Sequence, residues 1–189
     1  MDFLHELEEH QAMMSDLRAV APALEGIAQT MTTRLGAGGT VYWFGNGGSA
    51  AQAQHLAAEL VGRYERERPG LPSLALTTDT SVLTAVANDY AFDDVFARQV
   101  RALCTAADVV VGLSTSGSSR NVLLGLEAAH ERQAFTVALT GGDGGPIAKQ
   151  ADASVVVRST RTSRIQEAHL FLGHLLCGQV EAAQPEGGS

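Results

Sequence analysis

Apolar positions along this chain follow two alternating rhythms, a helical period near 3.6 and short unbroken runs. Leu4, Leu7, Met14 and Leu17 form a first helical stripe, and Leu24, Ile27, Ala28, Met31 and Leu35 form a cleaner one after Pro22. Gly36-Ala37-Gly38-Gly39 ends it. Strands are then predicted at Val41–Phe44, Leu74–Leu76, Val109–Leu113, Thr136–Leu139 and Ala153–Val157. Between them helices are predicted over Ala50–Val61, Ser81–Ala87, Asp93–Ala102 and Asn121–Arg132, with a short one after Gly141-Gly142-Asp143-Gly144-Gly145. A long closing helix covers Arg164–Ala183. Short apolar strands separated by helices mean an α/β fold, a parallel sheet covered on both faces. The expected organisation is one domain over 1–183, helical in its first 36 residues, with a flexible tail at 184–189.

Sheets of this kind bind ligands beyond the carboxyl ends of their strands. Two glycine- and serine-rich loops fall there, Gly45–Ser49 and Ser114–Ser119. In the first, Gly45-Asn46-Gly47-Gly48-Ser49 leaves a strand and opens a helix. Its backbone N–H groups and the positive end of the helix dipole face whatever anion or oxygen-rich ligand sits above. With Ala50 the run satisfies G-x-G-x-x-A, but a dinucleotide site also wants a carboxylate about 20 residues on, ending the next strand. Glu65 and Glu67 stand at that distance inside the charged loop Arg63–Pro72, and Asp79, which does follow the strand, comes too late. In the second loop, Ser114-Thr115-Ser116-Gly117-Ser118-Ser119 brings five hydroxyls to a helix N-terminus, a cradle for a phosphate. Lacking the lysine of a nucleotide P-loop, it suits a phosphate that is held and not transferred. The plain alternative is a serine-rich turn with an ordinary N-cap.

His55 and Glu59, four residues apart, share one helix face, which by itself is a common surface pair. The closing helix adds Gln166 and His174, eight residues apart, and so two turns along and about 80° around the axis. His169 is turned well away from His174 and is the weaker candidate. Two helices, each offering an imidazole and an oxygen donor, could make a divalent metal site, zinc being the natural ion. Equally, a carboxylate and an imidazole facing a sugar could divide the base and acid roles of a proton transfer.

Composition narrows the partners. With 189 residues, 45% of them apolar, the chain has enough for one buried core. A net charge of -8 and a pI near 5.1 count against a nucleic-acid or membrane-surface binder. Residues 1–6 show no basic and apolar leader pattern, and no apolar run approaches the ~20 residues that span a bilayer, so the expected location is the cytoplasm. Cys104 and Cys177, far apart in apolar contexts, are expected as reduced, buried thiols.

Taken together, Gly45–Ser49 with His55 and Glu59, Arg63, Arg68-Pro69, Thr77-Thr78-Asp79, Asn88-Asp89, Ser114-Thr115-Ser116-Gly117 and Arg164-Ile165-Gln166-Glu167 resemble the sugar isomerase (SIS) family. The match is to its sedoheptulose 7-phosphate isomerase branch and covers roughly residues 2–183 in one register. The resemblance implies a three-layer α-β-α sandwich with a five-stranded parallel sheet, and a homotetramer with active sites between subunits and N-terminal helices in its core. It implies substrate contacts at Asn46, Gly47, Gly48, Glu59, Asn88, Asp89, Ser114, Thr115, Ser116, Ser119 and Gln166. It also implies one zinc per subunit on His55, Glu59, Gln166 and His174, with Glu59 and His174 as the catalytic pair. The implied reaction turns a ketoheptose 7-phosphate into an aldoheptose 7-phosphate of the D-glycero-D-manno type through an enediolate. Two other branches of the fold compete, one that binds the bacterial replication initiator and one that senses sugar phosphates. Neither requires Glu59 or His174.

Overall fold

Parallel pairing of short apolar strands organises the computed structural model, which describes residues 2–185; the expected tail from residue 186 on lies outside the described residues. The strands are β1 (Val41–Gly45), β2 (Ser73–Ala75), β3 (Val109–Ser114), β4 (Phe135–Gly141) and β5 (Ala153–Val157), in the spatial order β2-β1-β3-β4-β5. Val41 pairs with Ser73 on one side and Val109 on the other, and Val109 with Phe135, all in parallel. All of β1 and β3 is buried, which is why both read as unbroken apolar runs. Trp43, Val111, Leu113 and Leu139 face one layer, built from α2 (Ala21–Gly36), α3 (Gly48–Val61) and α8 (Thr162–Ala182). Tyr42, Phe44, Val110 and Ala138 face the other, built from α4 (Thr80–Asp89), α5 (Val95–Leu103), α6 (Arg120–Glu131) and α7 (Gly145–Gln150). Phe44 stacks on Phe96 with centroids 4.9 Å apart. The α/β sandwich with five parallel strands is therefore as expected.

Boundaries differ where local chemistry overrides the apolar pattern. Helix α4 starts at Thr80 because the Asp79 carboxylate caps it, accepting from the Val82 N–H at 2.9 Å. Strand β2 is shifted one residue earlier, to Ser73, whose hydroxyl accepts from the Trp43 indole at 2.9 Å. The expected Asp93 helix begins as a 3-10 turn, Phe92–Asp94, before α5. Helix α1 (Phe3–Asp16) and the 3-10 turn after it bury only part of the predicted stripe: Leu17 is buried and Met14 half-buried, whereas Leu4 and Leu7 are 66% and 43% exposed, and Met13, outside the stripe, is buried instead. The attachment of α1 is largely ionic, through Arg161 and Arg164 to Glu6 and Glu9, and through His10 Nδ1 to Glu167 Oε2 at 2.8 Å. Cys104 and Cys177 are buried and unbonded, and burial pushes both thiols up to about 12.

Helices α3 and α8 lie side by side, and their contacts advance in the same direction along both. The Gln52 amide donates to the Gln166 carbonyl at 2.6 Å, and Leu56 packs against Gly173. A Cβ at Gly173 would lie 2.4 Å from Leu56 Cδ1, so glycine is what lets the axes approach. At their far ends a buried ion pair closes the two helices together. Arg68 and Glu181, with side chains 1% and 2% exposed, meet at 3.2 Å. The Arg68 guanidinium donates to the carbonyls of Glu59 (2.8 Å) and Leu60 (2.8 Å), acceptors that the end of α3 leaves open. The Glu181 carboxylate accepts from the backbone N–H groups of Tyr64 (2.8 Å), Glu65 (2.8 Å) and Arg66 (2.7 Å). Burial alone would raise the Glu181 carboxyl, but these three donors and the Arg68 charge outweigh it and hold it below its ordinary value. On the same helix His169, fully buried, donates from Nε2 to the Thr140 carbonyl at 3.1 Å, and burial pushes its imidazole down to about 4.

Two outcomes are expected from this packing. Gly173→Ala should lower the unfolding free energy by about 1–3 kcal/mol, as overpacking of a filled core does, read as the shift of a denaturant unfolding midpoint. Acid should act in two stages. His169 and Glu181 both titrate lower in the folded state than in the unfolded chain, so their stabilisation is complete above the unfolded values. It is lost for His169 as pH falls from about 6.5 toward 4, and for Glu181 below about 4.5. A denaturation midpoint that stays constant from pH 7 to pH 4 would contradict this.

Candidate functional site

The strand order places a topological switch point between β1 and β3, whose connections leave toward opposite sides of the sheet. Both glycine- and serine-rich loops rise there. Gly47 has φ +55 and ψ -118 and forms the uncapped N-terminus of α3, a conformation that disfavours any side chain. At Gly48 the Gln166 amide packs closely, and a Cβ there would lie 2.5 Å from its Nε2 and would make that side chain move. The Asn46 amide is paired with the buried Asn121, each Nδ2 donating to the other's Oδ1 at 2.8 Å. This reciprocal pair ties the first turn to the first turn of α6. No periodicity marks Asn121, and the sequence reading passed over it.

The second loop runs from the end of β3 to the start of α6. Ser114 Oγ donates to Ser119 Oγ at 3.0 Å, and Ser118 Oγ donates to Ser116 Oγ at 3.1 Å. Gly117, with φ +65, lets the loop press onto Gly144, whose carbonyl would be 2.4 Å from a Cβ at that position. No side chain caps α6, so its first N–H groups open toward this ring of hydroxyls, with Ser116 and Ser118 exposed. Thr115 is half-buried. Asn88 and Asp89 stand exposed at the end of α4, bonded to each other at 2.8 Å and, among the described residues, to none of the other candidates.

Further along the α3–α8 contact, three side chains converge. His55 Nε2 lies 2.8 Å from His174 Nε2 and 3.2 Å from Glu59 Oε1, and ligand atoms of all three fall within 4.8 Å of one another. Two imidazole nitrogens and a carboxylate oxygen form a donor set suited to a divalent ion such as zinc. The separations of 2.8 and 3.2 Å lie near the ~3.3 Å edge of a tetrahedron with bonds of about 2.0–2.1 Å, and the remaining pair is within 4.8 Å, so the donor chemistry present fits a metal. The cluster is accessible, with the His55 side chain 47% and that of Glu59 20% exposed. The Tyr64 ring, which the sequence reading did not single out, lies against His174 with centroids 5.5 Å apart.

Gln166 stands apart from this group within the chain. Its amide packs on Gly48, seven residues and so roughly 10 Å along α3 from His55. His169 is buried against the sheet and does not face the cluster's donors. The dinucleotide pattern finds no support, since Asp79, which follows β2, is engaged as the α4 cap, and Glu65 and Glu67 lie in the loop before β2 and not at the end of a strand. A cavity of about 610 Å³ between α4 and α5, lined by Leu74, Val82, Val86, Arg98 and Leu103 among others, is apolar and separate from these groups.

Comparison with known proteins adds an independent line. A family described as SIS domain matches residues 5–141. A phosphoheptose isomerase from Aquifex aeolicus is 50% identical over 174 residues, 92% of this chain and 91% of the relative. One from Rhodospirillum rubrum is 56% identical over 163 residues, 86% of this chain and 87% of the relative. Among solved structures, the phosphoheptose isomerase of Neisseria gonorrhoeae superposes with a TM-score of 0.90 at 43% identity, covering 95% of this chain and 97% of that one.

Proposed function

The chain belongs to the SIS-domain family and is a phosphoheptose isomerase, an aldose–ketose isomerase, and from that premise we propose how its residues divide the reaction. The observation that carries the proposal is the convergence of His55, Glu59 and His174 on one face of the α3–α8 contact. The substrate is sedoheptulose 7-phosphate and the product an aldoheptose 7-phosphate, taken as the D-glycero-D-manno isomer. The remote phosphate sits in the Ser114–Ser119 loop, held by Ser114, Thr115, Ser116, Ser119 and the open N–H groups of α6. Asn46, Gly47 and Gly48 line the sugar, and Gln166 meets it beside Gly48. Asn88 and Asp89 contact the substrate from the end of α4.

Glu59 removes a proton from C1 of the ketose, leaving the C1–C2 enediolate. His174 carries a proton from O1 to O2, and Glu59 returns its proton to C2, so no atom is gained or lost. His55, Glu59 and His174 would hold a zinc ion, which when bound polarises the substrate oxygens and stabilises the developing negative charge. Gln166 lies too far along the groove to join them from the same chain. As a fourth ligand it would reach the cluster from a neighbouring subunit.

That arrangement accords with a homotetramer whose sites lie between subunits. Phe171 and Leu175, flanking His174, are 40% and 39% exposed, and Phe3, Leu4 and Leu7 leave an apolar face on α1 for a neighbour to cover. Among the described residues no helix is long and apolar enough to cross a membrane, and the cytoplasm is the proposed location. The initiator-binding and sensor alternatives have no use for the His55–Glu59–His174 group.

Glu59→Gln should abolish turnover and the exchange of the C1 proton with solvent deuterium, followed by NMR, while sugar phosphate still binds. Near-normal turnover in that variant would remove Glu59 as the base. Native mass and metal analysis of the purified enzyme should give four chains with about one zinc each, the metal being lost in the His55→Ala/His174→Ala variant. A monomer, or a metal-free active enzyme, would overturn the corresponding assignment.

A further inference from the structure

We infer that the buried Arg68–Glu181 pair, acting with Tyr64, is a positioning device of the isomerase site that fixes Glu59 on α3 relative to His174 on α8. The inference rests on the assignment of Glu59 and His174 as the proton-transfer pair.

Burying two charges costs so much desolvation that an ion pair of this kind contributes little net stability compared with an apolar replacement. What it does contribute is geometry. Arg68 takes the carbonyl of Glu59 itself at 2.8 Å and that of Leu60 at 2.8 Å, so it grips the backbone of the very residue assigned as base. Glu181 stands seven residues after His174 on α8, about two turns along the same rod. The 3.2 Å contact between Arg68 and Glu181 therefore links the backbone of the base to the helix that carries its partner.

Tyr64 supplies the second link. Its N–H donates to Glu181 at 2.8 Å, which fixes where the residue leaves α3. Its ring then lies along α8 between two residues, against the His174 imidazole at 5.5 Å and over Gly178, where a Cβ would come 3.2 Å from Tyr64 Cε1. One carboxylate thus orders the loop that brings an aromatic wall to the His174 ring. Proton transfer between carbon and oxygen positions tolerates little error, a misplacement of 1 Å costing on the order of 100-fold. Glu59 and His174 come from different helices, and a clasp of this kind is what keeps their separation from drifting.

The test compares Tyr64→Leu, Glu181→Gln and Arg68→Lys with wild type and with Glu59→Gln. It reads kcat and KM for sedoheptulose 7-phosphate well below each thermal midpoint. A positioning role predicts that kcat falls about 10–100-fold while KM stays within about threefold, as loss of a supporting residue does. A merely structural role would lower the midpoint and leave kcat per folded molecule unchanged, and that result in Tyr64→Leu would overturn the inference. Should Arg68→Lys or Glu181→Gln fail to fold, Tyr64→Leu, which leaves the ion pair in place, decides alone. An inactive Glu59→Gln beside an unimpaired Tyr64→Leu defeats this inference only. An active Glu59→Gln defeats the site assignment and this inference with it.

Discussion

Everything at the reactive end of this enzyme depends on how closely α3 and α8 can lie together. Their approach is set by an absent side chain. At Gly173 a methyl group would meet Cγ, Cδ1 and Cδ2 of Leu56. Leu56 is fully buried, with nowhere to retreat. With the axes this near, short side chains from each helix can meet across the seam, and His55 and His174 come within 2.8 Å of each other. The residue after the contact glycine is the histidine itself. The packing constraint and the chemical one are adjacent in the chain.

A second feature is the pairing of the two glycine- and serine-rich turns at the carboxyl edge of the sheet. Each follows a central strand, each opens a helix without a side-chain cap, and they flank the switch point of the sheet. The Asn46–Asn121 amide pair joins the Gly45–Ser49 turn to the first turn of α6, which the Ser114–Ser119 loop opens. That pair engages one amide donor and the carbonyl oxygen of each side chain. Exposed apolar residues lie on α1 (Phe3, Leu4, Leu7) and on α8 beside His174 (Phe171, Leu175).

Much of this was legible in the chain. The five strands and their helices followed from apolar periodicity, because a doubly covered parallel sheet leaves its central strands no polar face. The two loops stood out because glycine and serine have few other reasons to cluster where a strand gives way to a helix. The exceptions have local causes. Asp79 drew α4 back to Thr80 by capping it. Leu4 and Leu7 looked like core and are not, since periodicity reports that a face is apolar and not what covers it. Arg68 was noticed only as part of a resemblance, and Glu181 not at all, because a buried charge leaves no periodic trace.

The sequence by itself determined the architecture and the two turns, since these follow from local pattern, and it offered His55, Glu59, Gln166 and His174 as candidates, with their roles implied only by the resemblance. Whether His55 and Glu59 ever meet His174, more than a hundred residues away, was a matter for tertiary structure alone. Helical spacing fixes directions within one helix but says nothing about the distance or register between two. That register was decided by a glycine contact and a buried ion pair. It gathered three of the four proposed ligands and left Gln166 about two turns away, beside the sugar turn.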